Sequence, residues 1–79
     1  MDASELPKGE TKATVIYKES SDNIIVQFDD GRRMQVSCAA LYIQKGMSIT
    51  LIVGESGFWI SYKDPRGHDT LRAAKDAAP

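Results

Sequence analysis

The side chains of this sequence best suited to chemistry are one thiol, one imidazole and a scatter of carboxylates. Cys38 and His68 are the single cysteine and the single histidine. A nucleophilic pair would require them to meet in space, with a third group to orient the base. No third residue is marked out as that group. Asp29 and Asp30 precede Gly31, while Asp64 and Asp69 flank Pro65 and Gly67, settings in which aspartate shapes a turn or caps a helix. One cysteine permits no intrachain disulfide and no cysteine zinc cluster. No catalytic residue, metal ligand or cofactor motif is assigned, and the chain is read as a non-enzyme.

Phosphate binding is the next chemistry to weigh. Arg32, Arg33 and Arg66 could contact phosphates, and Tyr17, Tyr42, Trp59 or Tyr62 could stack on bases. Against this, the arginines adjoin Asp29, Asp30 and Asp64, and ten Lys or Arg face eleven Asp or Glu, a net charge of −1. The basic footprint of a dedicated nucleic-acid binder is absent. Nucleic acid is therefore the runner-up ligand, with Arg32, Arg33 and Arg66 as its contacts.

The elements that must position these residues are strands. Ile24 to Phe28 and Arg32 to Ser37 alternate in polarity around Asp29-Asp30-Gly31, the signature of a hairpin. A two-residue loop would set Phe28 against Arg33 and waste the apolar face. A three-residue loop with Gly31 left-handed sets Val26 against Met34 and Ile24 against Val36. Upstream, Thr11 to Lys18 alternates as a first strand, with Tyr17 opposite Ile24, Val15 opposite Val26 and Ala13 opposite Phe28. Downstream, Met47 to Val53 and Phe58 to Tyr62 form a second hairpin about Gly54-Glu55-Ser56-Gly57, pairing Val53 with Phe58 and Leu51 with Ile60.

Between the hairpins, Ser37 to Gly46 breaks the alternation and reads as a helical turn that plugs one end of the fold with Leu41 and Ile43. Residues 1–10 read as a mobile N-terminal segment. Residues 11–64 form the barrel domain. Residues 65–79 read as a tail or a marginal C-terminal helix, since Leu71 is their only large apolar side chain. The whole is one domain of 79 residues. A chain of that size buries only roughly 60 % of its unfolded surface and encloses no deep cavity, so function belongs on an outer face.

The succession Ile24 to Phe28, Asp-Asp-Gly-Arg, Met34 to Ser37, helical turn, Lys45-Gly46 and Met47 to Val53 resembles the SH3-like small β-barrels of bacteria, over roughly Thr11 to Lys63. The resemblance implies an all-β, five-stranded antiparallel barrel or curled sheet that serves as a binding module. It carries over no ligand and no functional residue.

One surface is left over by this register. Ile16 against Ile25 and Ile52 against Trp59 fall on the face opposite the core, where a one-sided sheet carries polar residues such as Thr14, Gln27, Gln35, Thr50 and Ser61. Apolar side chains gathered there point to a contact surface, and tryptophan is enriched at binding hot spots. The competing account is internal packing, either as a second small core in a tightly curled barrel or under the C-terminal helix through Leu71. The function expected is a non-enzymatic protein-binding module, self-associating or docking as an adaptor or inhibitor of phage or mobile-element type on a larger cytoplasmic machine. Its contacts are Trp59, Ile52, Ile16 and Ile25. The acidic N-terminus lacks the basic and then apolar pattern of a signal peptide, and no apolar run approaches the ~20 residues that span a bilayer, so a cytoplasmic location and no membrane are expected.

Overall fold

The alternating runs fold as six antiparallel strands that close into a barrel, in a computed structural model that describes residues 3–76. In chain order they are β1 (Gly9–Ser20), β2 (Asn23–Phe28), β3 (Arg33–Cys38), β4 (Ser48–Gly54), β5 (Gly57–Lys63) and β6 (Asp69–Asp76). Around the barrel the order is β1-β2-β3-β6-β5-β4. Two three-stranded meanders thus meet along two seams, β1 with β4 and β3 with β6. Each strand reverses the last, so the turns after β1, β3 and β5 share one end of the barrel and those after β2 and β4 share the other.

Both hairpins take the predicted register. Val26 faces Met34 and Ile24 faces Val36, with Gly31 at φ 90° and the loop closed by N–H donation from Phe28 to the Arg32 carbonyl at 2.8 Å. In the second hairpin Ile52 faces Trp59, Leu51 faces Ile60 and Val53 faces Phe58. The even positions of β2 and β3 and the core-facing positions of β1, β4 and β5 then fill the interior. Val15, Ile24, Val26, Val36, Leu51 and Ile60 are fully buried there, the outcome that period-two alternation dictates.

Four expectations are corrected. The barrel has six strands, not five, and residues 69–76 form β6 in place of a tail or short helix. Leu71, Arg72, Ala73 and Lys75 favour helix locally, but the free edge of β5 offers a full ladder from Phe58↔Ala74 to Lys63↔Asp69, and tertiary pairing overrides propensity. The domain boundary at residue 64 therefore falls inside the barrel. At the other terminus the predicted mobile segment is structured from Ala3. Ala3–Glu5 forms a 3₁₀ turn, Leu6 is buried, and the Ala3 N–H donates to Asp76 Oδ2. The parts of those two expectations that concern Met1, Asp2 and residues 77–79 lie outside the described residues.

The connection from β3 to β4 is not helical. After Cys38 the chain swings under the barrel, Cys38 and Ala40 donating N–H bonds to the carbonyls of Asp22 and Ser21 at 2.9 and 2.8 Å. The plug is made of Ala40 and Ile43, both fully buried, while Leu41 is 67 % exposed. The fourth correction is a bulge in β1. Ala13↔Phe28 and Val15↔Val26 pair as predicted, but beyond Val15 the register slips so that Tyr17 faces Ile25 and Lys18 faces Ile24. A twelve-residue strand shared between β2 and β4 must bend, and bulges bend strands. The slip is pinned at Val15, whose N–H reaches the Met47 carbonyl while its own carbonyl accepts from Gly46.

Candidate outer-face contact site

Trp59 sits at the middle of β5 with Ile52 on one side and Ala73 on the other, a row of outward side chains across β4, β5 and β6. Its indole leans along the diagonal onto Gly54, where the lack of a side chain leaves room. Ile52 and Trp59 are each half-buried. Leu71, two residues from Ala73 and on the same face, is 58 % exposed. The helical cover expected for this face is not formed among the described residues, where 69–76 are β6, and Leu71 widens the apolar row instead of shielding it.

The other predicted contact pair is not formed. The bulge removes Ile16 from its place opposite Ile25 and puts Tyr17 there, 54 % exposed on the outer face. Closure also divides the surface. From β2 to β5 the path crosses β3 and β6 in one direction and β1 and β4 in the other, so Ile25 and Trp59 stand on opposite sides of the barrel. Ile16 and Ile25, both half-buried, therefore cannot share one flat contact with Ile52 and Trp59. Leu71 and Ala73 are the members of the Trp59 row that the sequence did not point to. Finding them requires knowing that residues 69–76 form a strand.

The three arginines are bound within their own surroundings. Arg32 Nε lies 2.6 Å from Asp30 Oδ2, and the Arg32 N–H and guanidinium together hold the Asp30 carboxyl below its usual range. Arg33 Nε donates to Gln27 Oε1 at 2.9 Å. Arg66 forms a salt bridge of 2.8 Å to Asp64 Oδ2 and lies over the Tyr42 ring, 5.0 Å from its centroid. Arg32 follows β2 and Arg66 follows β5, so the two lie at opposite ends of the barrel.

Asp64 organises its turn as predicted for aspartate. Its side chain is 2 % exposed, and Oδ1 accepts the N–H groups of Arg66 and His68 at 2.9 and 3.1 Å. Asp69 is no helix cap but the first residue of β6. Cys38 is buried. Burial, and next the Asp22 charge, push its thiol pKa up, away from the thiolate a nucleophile needs. His68 is exposed on the turn before β6.

No family model, curated protein or solved structure matches the chain. Among the described residues no group of three or more His, Cys, Asp or Glu is placed to hold a metal ion. No helix among them is long and apolar enough to cross a membrane.

Proposed function

We propose that this barrel is a non-enzymatic protein-binding module, an adaptor or inhibitor that docks a protein partner on the outer row of Ile52, Trp59 and Ala73. The observation that supports this reading is the continuity of the row. Three adjacent strands present apolar side chains outward at one level, with exposed Leu71 beside them. Large apolar groups on a sheet face that carries Thr50 and Ser61 elsewhere are economical only if a partner covers them. Tryptophan with an apolar neighbour on each side has the makings of a hot spot. A small closed β-barrel is in keeping with a binding role, although fold alone names no partner.

The test is affinity capture with the parent protein, followed by titration of the recovered, purified partner against Trp59→Ala and Ile52→Thr. Trp59→Ala is expected to cost about 2 kcal/mol or more of binding while the circular dichroism spectrum stays native. Unchanged affinity in both folded variants would sink the reading. Sub-micromolar, salt-sensitive oligonucleotide binding, lost when Arg32 and Arg33 are changed to Ala, would transfer it to the nucleic-acid alternative.

A further inference from the structure

The β3–β6 seam is short. β3 meets β6 at Val36↔Asp76, Ser37↔Lys75 and Cys38↔Ala74, and then departs toward Asp22. The first half of β6, Asp69 to Ala73, has β5 along one edge and no strand along the other among the described residues. Asp69, Leu71, Arg72 and Ala73 are all exposed. That includes Arg72, which faces the same side as buried Ile60, so this half of the strand stands clear of the packed interior.

Hydrogen-bond alternation decides which backbone groups line the open edge. The Asp64 N–H donates to the His68 carbonyl across the turn. In an antiparallel ladder the bonded pairs then recur at every second position, at Tyr62↔Thr70 and Ile60↔Arg72. Thr70 and Arg72 therefore turn their N–H and C=O groups toward β5. Asp69 and Leu71 turn theirs outward to the open edge, and Ala73 continues the same series where β3 bends away.

We infer that this edge pairs with the same edge of a second copy of the chain, antiparallel and centred on Leu71. Only an even register matches edge-facing groups with edge-facing groups, and the register about Leu71 sets Leu71 against its own copy and Asp69 against Ala73 of the second copy. It suits the side chains. The two leucines meet at the dyad on the outer face, Thr70 meets Arg72, and no like charges stand opposite each other. Lys75 lies diagonal to the second copy's Asp69, an attractive neighbour. Exposed edges are templates for such pairing. The inference goes beyond the partner reading above: it rests on the backbone edge of β6 and shares with the Trp59 row only Leu71 and Ala73, so a Trp59 variant separates the two.

Sedimentation velocity over a concentration series tests it on the full chain. The parent is expected to pass from monomer to dimer as concentration rises. Leu71→Pro removes an N–H that faces the open edge and has no partner among the described residues, and proline is tolerated at such an edge position. Leu71→Lys places two ammonium groups at the dyad. Both variants are expected to remain monomeric with a native circular dichroism spectrum, whereas Trp59→Ala still dimerises. Leu71→Cys is expected to form a disulfide-linked dimer under mild oxidation, since opposed residues in a bonded pair lie within disulfide reach. A parent that stays monomeric at the highest concentration, or a Leu71→Lys variant that dimerises like the parent, overturns the proposal.

Discussion

The indole of Trp59 rests on the backbone of Gly54. A methyl group built on that glycine would lie 2.9 Å from Trp59 Cζ3, closer than van der Waals contact permits. Gly54 is not in the left-handed region, so alanine suits its backbone and the conflict is with the ring alone. Gly54→Ala should push the indole outward and cost about 1 kcal/mol, the low end for overpacking, which lowers the melting temperature by roughly 4–8 °C in a domain this small. Trp59 is the single tryptophan, so its emission should shift to the red. Unchanged emission with unchanged melting would show that the ring is not seated on Gly54.

The end plug makes a second, sharper contrast. Ile43 is fully buried beneath the barrel and Leu41, two residues before it, is mostly exposed. Ile43→Ala should cost about 2–5 kcal/mol through lost contact and the cavity left behind. Leu41→Ala should stay within about 0.5 kcal/mol of the parent. Urea unfolding of the two variants separates them. Equal losses would mean that the leucine, as first expected from the sequence, shares the plug.

Asp64 gives the fold an acid-sensitive contact. Burial works to raise its pKa, but the Arg66 guanidinium and the N–H groups of His68 and Arg66 outweigh it, and the carboxyl titrates below the ordinary 3.8. The unfolded chain then binds a proton that the folded chain does not. The stability Asp64 contributes is whole above about pH 5 and is lost as pH falls through the unfolded value toward the lower folded one. Asp64→Asn should be less stable than the parent at neutral pH, and its stability should decline less steeply over that acid range. Thermal melts of both proteins as a function of pH test this, and parallel curves would exclude Asp64 as a contributor.

What the sequence determined by itself was local pairing. Alternation with a period of two, together with Asp29-Asp30-Gly31 and Gly54-Glu55-Ser56-Gly57, leaves only one register that keeps Ile24, Val26, Met34 and Val36 on one face, and Leu51 and Ile60 on one face. That register already placed Ile52 beside Trp59 on the outside. Three features were decided by tertiary structure. β6 is one, because its alanine, arginine and lysine favour helix and only the waiting edge of β5 makes them extended. The β1 bulge is another, because the alternation of Ala13, Val15 and Tyr17 runs on unbroken, and the slip arises where Val15 is held by Gly46 and Met47 while β1 bends between two neighbours. The contact surface is the third. Ile25 and Trp59 both face outward in a flat drawing of the strands, but closing the ring through β3 and β6 carries them to opposite sides and brings Ala73 and Leu71 beside Trp59 instead.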